Sequence, residues 1–306
     1  MILTENRFPK RAYIYIHFYD ASYYQEFLVV MKPVSCFIYG SLLLLLFSHC
    51  NRLAGNSFVP ALPGYSSDEN RILLKRPLRE ISGIDYISDH KLVAINDEAG
   101  KLFFIDPSTG NFEEASFGDN DDYEDVVKAG QFYYVLNSKG NLFEISVNEN
   151  KLVATYKHDF GKFTEFESLC YDKEKNQLLL ICKECGKHPN HFNAYRFLLS
   201  SKQFVDDDYF SISWADIRQM AKDNSIECKP SAAAINPVSG KLYIISSIGK
   251  ILLQCSNTGT LEAVFKLNPD YFPQPEGMTF TPEGDLYISN EGGQGKATLL
   301  RYVYKH

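Results

Sequence analysis

One short pattern returns five times along this chain, and it dictates the architecture. Alignment on the residue that leads each first apolar run gives "REISGIDYI" at Ser82, "DDYEDVVKA" at Glu124, "TEFESLCYD" at Glu167, "CKPSAAAIN" at Ser231 and "PQPEGMTFT" at Glu276. Successive leads are 42, 43, 64 and 45 residues apart. Second runs line up as well ("KLVAINDE", "QFYYVLNS", "QLLLICKE", "KLYIISSI", "DLYISNEG"), then third runs after a turn ("GKLFFID", "GNLFEIS", "AYRFLL", "GKILLQC", "ATLLRYV"). Fourth runs are weaker: "FEEASF", "LVATYKH", "QFVDDDYF" and "LEAVFKL". A period of this length with four short strands per unit is the signature of propeller blades. Several runs are apolar on both strand faces, which suits strands packed between neighbouring sheets. No isolated four-stranded sheet can bury both faces, so the units must stack and close.

The expected fold is therefore all-β: a single propeller over residues 71–306 with five four-stranded blades, six being the alternative count. After Glu276 only 30 residues remain, enough for three strands. The missing fourth is available at "NRILLKRPL", residues 70–78, so an N-terminal strand should complete the last blade and remove its exposed edge. The long third interval contains "SWADIRQMAKDNSIE", which reads as a helix capped by Ser213 rather than as extra strands.

The first 50 residues have a different character. Lys32 follows Met31, an apolar run covers Val34 to Ser48, and Cys50 closes it. The run is shorter than the roughly 20 residues of a bilayer helix and suits a signal peptide. A cysteine at that point resembles a bacterial lipobox, although His49 replaces the usual small residue. Residues 31–50 are thus expected to be a lipoprotein-type signal with Cys50 acylated, an uncleaved anchor or an ordinary secretory signal being the alternatives, and residues 51–70 a linker. Residues 1–30 are either an upstream mis-start or a true extension. A formal charge of -7 argues against nucleic acid as a partner. Five cysteines after Cys50, scattered over a large domain, are no disulfide framework.

Antiparallel geometry places the lead of strand one and the exit of strand two at the same end of each blade. Ser82 then neighbours Asp97 and Glu98, Glu124 neighbours Asn137, and Glu167 neighbours Lys183 and Glu184. Ser231 meets Ser246 and Ser247, while Glu276 meets Asn290 and Glu291. Around a closed ring these residues would surround one mouth of the central channel. The candidate ligand-binding set is Ser82, Asp97, Glu98, Glu124, Glu167, Glu184, Ser231, Glu276, Asn290 and Glu291. Converging carboxylates invite an oxygen-seeking cation, so Glu124, Glu167 and Glu276 are candidate Ca²⁺ ligands. The alternative is that the same groups cap strand ends, with Lys183 neutralising part of the charge.

Three local motifs carry weaker signals. "FGDNDDYED" lacks the glycine and distal glutamate of an EF-hand and reads as an acidic loop. "CKECGKHPNH" suggests zinc by composition, but four ligands within ten residues leave nothing to wrap a tetrahedron. A Cys182–Cys185 disulfide or a plain loop are the other readings. "EGGQGKAT" lacks phosphate-loop spacing and reads as a strand connection.

"LREISGIDYISDHKLVAINDEAGKLFFID", "DYEDVV", "FESLCYD", "KPSAAAINPVSGKLYIISSIGKIL" and "FPQPEGMTFTPEGDLYISNEG" together resemble the bacterial SdiA-regulated (YjiK-like) family of envelope β-propellers. The resemblance spans residues 72–304. It implies the propeller fold and a place in the cell envelope, facing the periplasm or the outer surface, and no particular reaction. The family usually has glycine after the lead residue, where this chain has Asp125, Ser168 and Ala232 in three blades.

Two functional readings follow. One is a monomeric, membrane-anchored, non-catalytic module that binds a small ligand or envelope protein at the mouth. The other is a calcium-dependent hydrolase, phytase-like or lactonase-like, using the same carboxylates. Phosphorylated substrates would call for several cations there. The sequence offers Lys183, with Lys139 and Lys250 further out.

Overall fold

The computed structural model describes residues 62, 64–66, 70–186 and 188–305. The extension 1–30, the signal 31–50 with Cys50, and most of the linker lie outside the described residues.

Among the described residues, twenty strands form five four-stranded antiparallel sheets. β1 (Asn70–Leu73) comes first. Blade 1 contains β2 (Ile81–Ser88), β3 (Lys91–Asn96), β4 (Lys101–Ile105) and β5 (Phe112–Ser116). Blade 2 contains β6 (Tyr123–Ala129), β7 (Phe132–Asn137), β8 (Leu142–Ser146) and β9 (Leu152–Tyr156). Blade 3 contains β10 (Glu165–Asp172), β11 (Gln177–Glu184), β12 (His191–Leu198) and β13 (Gln203–Ser213). Blade 4 contains β14 (Lys229–Ile235), β15 (Leu242–Ile248), β16 (Ile251–Cys255) and β17 (Leu261–Lys266). Blade 5 has β18 (Pro275–Phe280), β19 (Leu286–Asn290) and β20 (Thr298–Tyr302), and takes β1 as its outer strand. The pairing runs from Asn70 opposite Arg301 to Leu73 opposite Thr298. The ring is closed as the sequence predicts.

The count is five. The long third interval is filled by the extended β13 and by α1 (Trp214–Ala221) rather than by a sixth sheet. Ser213 caps α1 by accepting from the Asp216 N–H at 3.0 Å, and Lys222, in the left-handed region, ends it.

The inner strands β2, β6, β10, β14 and β18 neighbour one another in a closed cycle. Burial falls from the axis outward. Six consecutive residues of β11 are buried, whereas β5 has no buried position. The core lies between blades, because alternate residues of a strand face opposite ways. In β3, Leu92 and Ala94 pack towards blade 5 with Tyr287 and Leu299, while Val93 and Ile95 pack towards blade 2 with Val126 and Tyr133. That division explains why the second runs are apolar throughout.

Polar side chains also join adjacent inner strands. Ser82 Oγ donates to the Tyr123 carbonyl at 3.0 Å, and Asp85 accepts from the Lys128 N–H at 2.7 Å. Asp125 accepts from the Leu169 N–H at 2.7 Å, and Ser231 Oγ donates to the Pro275 carbonyl at 2.7 Å. Thr279 Oγ1 donates to Asp85 at 2.8 Å across the junction of blades 5 and 1. Burial pushes the Asp85 and Asp125 carboxyls up, against the pull of these hydrogen bonds.

Candidate functional site

The five lead residues share a backbone feature that the sequence alignment does not reveal: each is the extra residue of a β-bulge. Ile81 pairs with Asn96 and Gly83 with Ile95, leaving Ser82 unpaired. Glu124 is skipped between Tyr123 and Asp125, and Glu167 between Phe166 and Ser168. Ser231 and Glu276 are skipped in the same way. A bulge turns its extra residue out of the regular alternation. Five such bulges lie at the same end of the five blades, and those of blades 2, 3 and 5 turn their glutamates towards one another. Blades 3 and 4 add a second bulge on strand two, which leaves Lys183 and Ser247 unpaired.

The residue after each lead must then sit against the next blade. A Cβ on Gly83 would lie 2.5 Å from Asp125 Oδ1 and 2.7 Å from Asp125 Cα. This close approach accounts for the small residues Gly83, Ser168, Ala232 and Gly277. Asp125 departs from the pattern because its carboxylate accepts the Val126 and Leu169 N–H groups.

Three of the leads, Glu124, Glu167 and Glu276, converge. Burial pushes the Glu124 carboxyl up to about 9, with the charges of Glu167, Asp122 and Glu276 adding to the effect. Glu276 is pushed up to about 8 by burial and by Glu167, against a hydrogen bond from Ser247 and the pull of Lys183 and Lys250. Glu167 is raised by burial too, but forms a close ion pair with Lys183. Such a cluster relieves repulsion by holding protons and by embedding a lysine.

A second acidic group adjoins the first. Burial and then Glu98 and Glu80 push Asp97 up to about 6. Glu291 is raised by burial and by its hydrogen bond with Glu80, whose own carboxyl is lowered by that contact. The Gln274 amide also donates to Glu291.

Other expected site residues are used structurally. Ser82 and Ser231 are spent on the bonds between blades described above. Asn290 is buried and donates to Thr298 Oγ1 at 3.1 Å and to the Tyr271 carbonyl at 3.2 Å. Glu184 pairs with Lys229, and Glu98 is exposed.

Sequence reasoning missed Glu80, Lys229 and Gln274. All three stand two residues before a lead, as do Asp122 and Glu165. That position is polar or charged in every repeat, which is the signal that would have found it. A pocket of about 400 Å³ opens here, lined by Glu167, Lys183, Lys229, Ser247, Lys250, Gln274 and Glu276, with Ile248 and Pro273 on its apolar side.

The donor set does not resemble a calcium cage. Among the described residues no three His, Cys, Asp or Glu side chains are arranged to hold a metal ion, and the Lys183 ammonium sits among the converging carboxylates. The acidic loop binds itself instead: Asp121 accepts from Asn137 Nδ2 at 2.8 Å, and the Asp119 carbonyl accepts from the Tyr123 hydroxyl at 2.9 Å. Of the three readings of "CKECGKHPNH", the structure has the Cys182–Cys185 disulfide. Its small ring encloses Lys183 and Glu184. "EGGQGKAT" links β19 to β20, with the Gly292 N–H donating to the Arg79 carbonyl at 2.7 Å.

A family profile described as SdiA-regulated matches residues 62–293, the whole propeller but its last strand. The chain belongs to the SdiA-regulated family. No curated protein matches it significantly. Among solved structures it is similar to a glutaminyl cyclase from Myxococcus xanthus, at 12% identity and a TM-score of 0.54, covering 77% of this chain and 95% of that one. A streptogramin B lyase (10% identity, TM-score 0.46, covering 77% and 98%) and a luciferin-regenerating enzyme (11%, 0.46, covering 74% and 91%) are also similar. At such identities the cyclase likeness speaks for the fold alone.

Proposed function

We propose that this SdiA-regulated propeller is a membrane-anchored envelope protein, acting as a monomer, that binds a small ligand or envelope partner at the channel mouth without transforming it. The observation that carries this reading is the mouth pocket, into which β-bulges turn side chains from separate blades. Building such a pocket leaves carboxyls held far from their ordinary titration range, a cost tolerated chiefly at functional sites. The anchor rests on Lys32, the apolar run Val34–Ser48 and Cys50. The calcium-dependent hydrolase reading gains no specific support from the donor set.

Ile248 is exposed at the pocket's edge, so Ile248→Trp should obstruct the pocket without disturbing the core. In a thermal-shift screen of diverse small molecules, hits should stabilise the wild type and lose their effect in Ile248→Trp. They should also be recovered unchanged by mass spectrometry. Hits that act equally on both proteins would remove the pocket from consideration, and conversion of a hit would contradict the non-catalytic reading. Separately, Cys50→Ser should move the protein from the membrane fraction to the soluble fraction.

A further inference from the structure

We infer that the mouth pocket takes a small anion, a carboxylate or phosphate group seated against Lys250 and Lys229 beside Ser247. This deepens the proposed function and rests on it. In sequence the mouth looks acidic, yet three lysines line the pocket: Lys183, Lys229 and Lys250. Two of them have committed partners, Lys183 with Glu167 and Lys229 with Glu184. Lys250 has none. Its ammonium donates to the Ser247 carbonyl at 2.6 Å, and no ion pair of Lys250 lies within 4.0 Å among the described residues. It is half-buried, and that burial lowers its pKa.

The opposing carboxyl at this end is Glu276, which burial and Glu167 hold protonated at neutral pH. Of the three lysines lining the pocket, two are paired, with Glu167 and Glu184, and Lys250 is left without a carboxylate partner. A cationic ligand would be repelled by the Lys250 charge and would meet a neutral Glu276. An anion supplies the counter-charge that Lys250 lacks, and the protonated Glu276 can donate a hydrogen bond to it. Exposed Ile248 and Pro273 offer the ligand's carbon skeleton an apolar flank.

The test is calorimetric titration at pH 6.5 with four probes: inorganic phosphate, succinate, putrescine and calcium chloride. Succinate or phosphate should bind, and which one does distinguishes the two anion classes. Lys250→Met, which keeps the aliphatic stem, should weaken binding about tenfold, as expected for one charge-assisted hydrogen bond. Should that variant fold poorly, the wild type alone still decides. Raising the pH to 9 ionises Glu276 and should weaken succinate binding by about tenfold or more, while in Glu276→Gln, where Glu124 and Glu291 still ionise over that range, the loss should be clearly smaller. Binding of putrescine or calcium that Ile248→Trp abolishes, with no anion binding, would overturn the anion assignment and leave the ligand-binding mouth standing. Anion binding indifferent to Lys250→Met and to pH would overturn it as well. If nothing binds in a manner sensitive to Ile248→Trp, both readings fail.

Discussion

Replacing Glu124 by glutamine should make the protein more resistant to rising pH, and the size of the gain follows from the site. In the unfolded chain the carboxyl titrates near 4.5, whereas in the folded protein burial and the neighbouring Glu167 push it up to about 9. Below pH 4.5 the group is protonated in both states and its contribution to stability is fully present. As the pH climbs from there the unfolded chain releases the proton and the folded protein retains it. Stability is then lost at about 1.4 kcal/mol per pH unit until the folded carboxyl also ionises. Between pH 5 and pH 7 the loss from this one group is about 2–3 kcal/mol. Glutamine has the shape of the protonated acid and cannot ionise, so the advantage of Glu124→Gln over the wild type should grow by about 2–3 kcal/mol between pH 5 and pH 7. Urea denaturation of both proteins at the two pH values measures the difference directly. Parallel pH profiles would mean that Glu124 ionises normally, and the reasoning about its burial would be wrong.

The disulfide closes a small ring around Lys183 and Glu184, so Cys182→Ser together with Cys185→Ser should cost about 2 kcal/mol by loop-closure entropy. A melting temperature unchanged by these substitutions, and by reductant, would contradict a structural role for the bridge. Gly83→Ala forces a methyl group onto Asp125 and should destabilise the fold by about 1–3 kcal/mol. Because the contact includes the Asp125 backbone, adding Asp125→Gly should not restore stability. Full rescue by that second change would show that the clash is with the side chain only.

The fold was legible because propeller blades repeat their punctuation. The five leads, the second runs and the free strand at residues 70–78 gave blade count, strand order and closure without any coordinates. The convergence of Glu124, Glu167 and Glu276 followed from the antiparallel rule. Other parts of the site did not follow. A single-residue bulge leaves the apolar pattern on either side almost intact, and its only trace is the small residue after the lead. Ser82 and Ser231 look like mouth groups until the neighbouring carbonyls of Tyr123 and Pro275 are placed beside them. The sign of the pocket's charge was hidden for a third reason. It depends on which carboxyls keep their protons and on where the lysine stems turn, and neither is written in residue spacing. Lys229 shows this well, since it precedes its lead by two residues and reaches Glu184 of the adjacent blade.

Site-resolved pH titration of the side-chain carboxyl carbons of Glu124, Glu167 and Glu276 by NMR, in the wild type and in Glu167→Gln, tests the convergence of the blades at one mouth most directly. Glu124 and Glu276 should titrate near 9 and 8 in the wild type, and both should shift downward together once the Glu167 charge is gone. Three independent titrations near 4.5, unaffected by Glu167→Gln, would contradict it.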